Sequence, residues 1–177
     1  MSETIAGITI PETALVRDAT DFVRQAADGT LFHHSRRVFL WGALKAAARG
    51  LEVDLELAYV GALFHNLGLT ASHATVDRRF ELDGAEAART FLREHGRPRE
   101  PGPRCVARHR PTQRAEVVAA QPRPDFKNRI LHAFHQGMVD RPDTTFGTMD
   151  DDVLAHFDPA FVRRDFVEII RSSAWPE

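Results

Sequence analysis

Apolar residues recur along this chain at intervals of three and four, the period of an amphipathic helix. Residues 13–27 place Leu15, Ala19, Phe22 and Val23 on one face, with Pro11 suited to open the helix and Asp28-Gly29 to end it. Residues 30–49 align Leu31, His34, Val38 and Trp41, then meet Gly50, a residue fitted to the left-handed position past a helix end. Residues 51–66 carry Asp54 as an N-cap and a stripe of Leu57, Val60, Gly61, Phe64 and His65, closed by Gly68. Turn formers make 71–83 a loop, and 84–95 is a fourth helix ended by Gly96.

The second half is less regular. Residues 97–104, RPREPGPR, hold three prolines and break any element. One helical turn fits 105–110 before Pro111 interrupts it. Helices are expected over 112–120 with Thr112 as cap, over 125–139, over a short 149–157 and over 159–172. No alternating strand pattern and no internal repeat occurs. The expectation is an all-α bundle, a single domain over 1–177 with an irregular patch at 97–112.

Composition narrows the class. The 177 residues are 43% hydrophobic and 27% charged, which is ordinary for a globular chain. A formal net charge of -2 offers no basic surface for nucleic acid. No apolar run approaches the ~20 residues that span a bilayer. Residues 1–10 carry Glu3 and no basic stretch, unlike a secretory signal, so the expected location is cytoplasmic. The single cysteine, Cys105, excludes an internal disulfide and has no nucleophile pattern around it. Phosphate-cradling glycine motifs are absent.

Chemistry rests on the histidines, of which there are nine. His95, His132, His135 and His156 fit solvated helix surfaces. His34 and His65 differ, because both fall on apolar stripes, where an imidazole needs partners for two ring nitrogens. Such a pair is either a hydrogen-bonded core feature or the beginning of a metal site. His33 adjoins His34 but points about 100° away around the helix. Arg36 and Arg37 suit either an anion or a solvated face, and His73 suits the mouth of a site.

The neighbours of these histidines form recognisable runs. His34-Ser35-Arg36-Arg37 is followed by Ala62-Leu63-Phe64-His65-Asn66-Leu67-Gly68-Leu69-Thr70, and then by Arg79-Phe80-Glu81-Leu82-Asp83-Gly84-Ala85. Together they resemble the HD-domain superfamily of metal-dependent hydrolases, and within it the cyanamide hydratase-like branch. Pro122-Arg123-Pro124-Asp125-Phe126-Lys127 and residues 142–166 are also similar to that branch. The likeness covers about 10–95 and 115–175. It implies an all-α bundle in which a first His, a His-Asp doublet and a later Asp converge on a divalent metal.

Carried over, the resemblance makes His34 the first ligand, His65 the second and Asn66 the third, where the family has Asp. Asn brings a neutral amide oxygen in place of a charge, and it cannot act as a general base. The family's later segment, with an L-H-T-like helix and the final Asp, is shortened here to 97–120. His109 is the replacement ligand that this segment suggests, with Glu116 a weaker choice. Asp83 stands before Gly84 as a helix cap and a second catalytic candidate beside Asn66. The implied cofactor is a divalent metal, zinc first, with iron or manganese as alternatives, weakly bound or absent. The implied partner is a small-molecule substrate, with a homo-oligomer also expected. The implied activity is hydration of a nitrile. The alternatives are a metal-dependent phosphohydrolase and an inactive HD-fold protein; a dinuclear-iron oxygenase needs more ligands than can be placed.

Overall fold

The computed structural model describes residues 3–97, 111–138, 159–160, 162 and 165–174. Expectations for 105–110 and 149–157, for Cys105, His109 and His156, and for most of the proline-rich stretch lie outside these residues.

The described chain is all-α apart from one hairpin. Strands β1 (Thr4–Ile5) and β2 (Ile8–Thr9) pair antiparallel, with Thr4 opposite Thr9. Ala6 and Gly7 turn between them at φ 52° and 83°, both positive, as a tight two-residue hairpin turn requires. Two residues per strand are too few to leave an alternating pattern, so the hairpin was invisible in the sequence.

Helices α1 (Ala14–Ala26), α2 (Gly29–Ala48) and α3 (Leu55–Phe64) form the centre. Each begins at a side chain that accepts a backbone N–H: Thr13 from Val16 at 3.3 Å, Asp28 from Leu31 at 2.8 Å, Asp54 from Leu57 at 3.1 Å. Asp28 therefore opens α2 rather than merely closing α1. The expected stop after α2 is present: Gly50 has φ 64°, its N–H donates to Ala47, and Leu51 N–H reaches back to Ala46.

A short 3-10 turn (Leu67–Leu69) leads by a loop to α4 (Phe80–Glu94). This helix starts four residues before the expected 84. Phe80 to Asp83, expected as the end of the loop, form its first turn. Pro111 is the first described residue of α5 (Pro111–Ala120), in a first turn where its missing N–H costs no helical hydrogen bond. The chain continues through α6 (Phe126–Met138) and α7 (Phe166–Arg171), the latter shorter than the expected 159–172. No described helix is long and apolar enough to cross a membrane.

The main core joins α1, α2, α3 and α4 through Ala19, Val23, Leu40, Val60, Phe64, Phe91 and Leu92. Phe22, Phe64 and Phe91 form one aromatic cluster, with Phe64 stacked on Phe22 at 5.4 Å. Buried Tyr59 keeps its hydroxyl 3.0 Å from Thr20 Oγ1. A smaller cluster of Leu31, Leu69 and Ile130, flanked by Phe80, Phe126 and Phe134, attaches α6.

The end of α3 lies hard against α4. A Cβ on Gly84 would stand 2.6 Å from the Phe64 carbonyl oxygen and 3.1 Å from that of His65. A Cβ on Gly68 would strike the Phe80 carbonyl oxygen. Gly84→Ala should therefore destabilise the fold by about 1–3 kcal/mol through overpacking. Gly42 has open space around it within α2, so Gly42→Ala should stabilise by up to about 1 kcal/mol. Urea unfolding of the two variants checks the contrast; equal effects would refute the close approach.

Candidate functional site

Helix α2 lies side by side with α3, and this places two imidazoles together. His34 sits in the second turn of α2, and His65 is the residue that ends α3. Their ring centroids are 5.5 Å apart at an interplanar angle of 46°. His65 Nδ1 donates to the Ala62 carbonyl at 2.7 Å, which leaves Nε2 with the lone pair. His34 stacks against Phe126 of α6, with centroids 5.6 Å apart.

Asn66 follows His65 at the start of the 3-10 turn. It is 4% exposed, and its Nδ2 finds no hydrogen-bond partner among the described residues. The simplest bland role, an amide bonded to backbone, is thus not fulfilled at that atom. Oxygen and nitrogen of an amide are interchangeable by a flip. In the flipped state an acceptor oxygen occupies the orphaned position.

Asp83 is placed differently from its expectation as a loop residue and cap. It lies inside α4, where its carboxylate accepts from Thr75 N at 2.9 Å and Thr75 Oγ1 at 2.9 Å, and pairs with Arg78 at 3.3 Å. These donors come from the 70–79 loop. The carboxylate therefore anchors that loop to α4.

His109 lies outside the described residues. Glu116 is exposed on α5. His73 packs edge-on against Phe22 at 5.6 Å and contacts Ser72 Oγ at 2.9 Å; burial lowers its pKa, so it is a neutral imidazole at pH 7. Among the described residues, no cluster of three or more His, Cys, Asp and Glu side chains could hold a metal ion. His95 is not merely solvated: it stacks on Phe91 at 4.1 Å and meets Asp18 at 3.2 Å.

Arg36 and Arg37 overturn the solvated-face alternative, since both are buried. Arg36 pairs with Glu3 of the hairpin at 2.6 Å. Arg37 Nη1 donates to the carbonyls of Gln121 at 3.1 Å and Pro122 at 3.3 Å, just past the end of α5. Burial first, and then the charge of Arg123, brings the Arg37 pKa down to about 10. It stays a cation at neutral pH. His33, half-buried, contacts Gln121 Oε1 at 2.9 Å, just past the end of α5.

The sequence reading missed the groups gathered on Phe126. The guanidinium carbons of Arg37 and Arg123 each lie 4.7 Å from its ring centroid. The signal was the Pro-Arg-Pro-Asp-Phe-Lys run itself. Asp125 adopts φ 51° within this run, directly before α6, and its Oδ1 accepts from Asn128 at 2.6 Å. That bend turns Arg123 and Phe126 toward α2.

Imidazole nitrogens and an amide oxygen are donor types that a divalent ion accepts. His65 already has the outward hydrogen bond that commonly orients a metal-ligating imidazole, and the orphaned Asn66 position would gain a partner. A described carboxylate is lacking, so the set is weaker than one with Asp.

Comparison with known proteins bears on the same stretch. A protein-family model, the HD domain, matches residues 31–135, more than half of the chain and including His34, His65, Asn66 and Asp83. No curated protein and no solved structure matches.

One outcome distinguishes an anchoring Asp83 from a catalytic one. Asp83→Ala should cost about 1–3 kcal/mol, because the half-buried Thr75 donors lose their charged acceptor. The Thr75 amide should then exchange faster with solvent while amides in the α1–α3 core keep their protection. Unchanged exchange at Thr75 would refute the anchor.

Proposed function

Because the chain belongs to the HD-domain family, in general a family of metal-dependent hydrolases, we propose that it is a divergent member whose site is centred on His34, His65 and Asn66. The juxtaposition of the two imidazoles at 5.5 Å carries this reading. His34 and His65 would hold a divalent ion, zinc first, with Asn66 contributing its amide oxygen. When bound, such an ion activates water and polarises the group that water attacks.

The chain's own residues have separable tasks. The Ala62 carbonyl fixes the His65 tautomer and ring direction. Phe126 limits the swing of His34 by covering one side of its ring. Asn66 can orient a ligand or a water but cannot remove a proton. Of the three residues placed at this centre, only the imidazoles can serve as a protein base. The substrate proposed from the sequence resemblance is a small nitrile, hydrated to an amide, with a phosphate ester as the alternative.

A second reading is a bundle that has kept the fold without the reaction. The neutral Asn66 and the engagement of Asp83 with Thr75 and Arg78 favour it.

Metal titration separates the two. In chelator-stripped protein, zinc, iron(II) or manganese should raise the melting temperature of the parent. Asn66→Asp should tighten that binding by roughly 10–100-fold, and His65→Ala should abolish it. If neither parent nor Asn66→Asp responds to any of the three ions, the retained-scaffold reading stands. With metal bound, conversion of cyanamide to urea against release of phosphate from a monoester assigns the reaction.

A further inference from the structure

A cleft of about 200 Å³ opens beside His34, between α2, the start of α6 and residues 170–173. His34, Arg37, Trp41, Arg123, Phe126 and Lys127 line it, and no Asp or Glu does so among the described residues. Three cations on one small cleft are a clear bias in a chain whose net charge is -2.

The cations are held in place by the fold. Arg37 is 4% exposed and Arg123 9%. Phe126 lies within 4.7 Å of both guanidinium carbons, so the two like charges are kept close together. Lys127 Nζ donates to the Ser173 carbonyl at 2.9 Å, which fixes the ammonium at the rim. Arg37 gives Nη1 to two carbonyls, whereas its Nη2 finds no partner among the described residues. A buried guanidinium nitrogen without an acceptor is costly, and the nearby like charge adds to that cost. Burial also depresses the Arg37 pKa, in the direction that an anion would reverse.

We propose that this cleft is a binding site for the oxyanion end of a small molecule, a terminal phosphate or carboxylate, held by Arg37, Arg123 and Lys127 without a metal ion. Guanidinium forks match both anions in shape and charge. The volume is below the roughly 300–1,000 Å³ of a drug-sized pocket, which suits one charged group and its immediate neighbours. Trp41 and Phe126 give the remainder of the ligand an apolar wall. Because His34 borders both the cleft and the imidazole pair, a ligand anchored by its anion would present its next bonds to His34 and His65. Only that last use rests on the proposed hydrolase reading; anion binding does not.

The test uses the whole chain and two simple probes, inorganic phosphate and acetate, each against chloride at matched ionic strength. All are titrated by calorimetry and by melting temperature in the presence of EDTA. Saturable binding of phosphate, of acetate or of both in EDTA supports the site and identifies its preferred anion. Arg123→Gln and Lys127→Gln should each weaken it by about 10-fold, the size of a lost charge-assisted hydrogen bond. Wild-type protein that binds neither probe beyond chloride overturns the proposal with no variant needed. Binding that appears only when zinc replaces EDTA overturns it too, because the anion would then sit on the metal, and the metal reading would survive. Binding in EDTA that both variants retain in full places the anion elsewhere and also overturns it.

Discussion

Helix α2 is buried around most of its circumference, and its sequence brings three basic residues, Arg36, Arg37 and Lys45, into the interior. A buried cation has to find acceptors or it destabilises the fold. That constraint organises the surroundings. Arg36 draws in Glu3 and with it the hairpin, while Arg37 takes the carbonyls just past the end of α5. The hairpin and the α5–α6 junction are thus placed by charges in the middle of the bundle as well as by apolar contact. His33 and His34 share the same helix, so the position of the imidazoles follows from the same packing.

A second constraint acts at the end of α3. Gly68 and Gly84 admit backbone where any side chain would intrude, and this lets α4 approach the His65-Asn66 pair closely. The small residue of the Asp-Gly-Ala run is a packing requirement next to the site. Asp83, its neighbour, spends its charge on the loop that returns the chain from the 3-10 turn to α4. Motif residues around a site therefore divide into those that line it and those that hold the backbone that lines it. Sequence likeness alone does not separate the two.

Much of the bundle was legible because caps and apolar period agree. Thr13, Asp54 and Gly50 mark ends where local chemistry and packing coincide. The pairing of His34 with His65 was legible too, since both interrupt apolar stripes. The start of α4 was not: Arg79 makes no side-chain cap, so nothing local announced the helix at Phe80. The burial of Arg36 and Arg37 was hidden for another reason. Their acceptors, Glu3 and the Gln121 and Pro122 carbonyls, are more than thirty residues away in sequence. Arg123 and Phe126 stand in the 122–127 run, but only the bend at Asp125 reveals which way they face.

Phe126 gives the molecule a division of labour in time. It belongs to the minor cluster that attaches α6, while the larger core of α1–α4 is built without it. Partial opening in folded proteins tends to involve such separately packed units. An excursion that lifts α6 alone would leave His34 beside His65, yet it would carry Phe126 and Lys127 away from Arg37. The imidazole pair is thus a property of the stable centre, and the cationic cleft is a property of the docked state, renewed each time α6 closes.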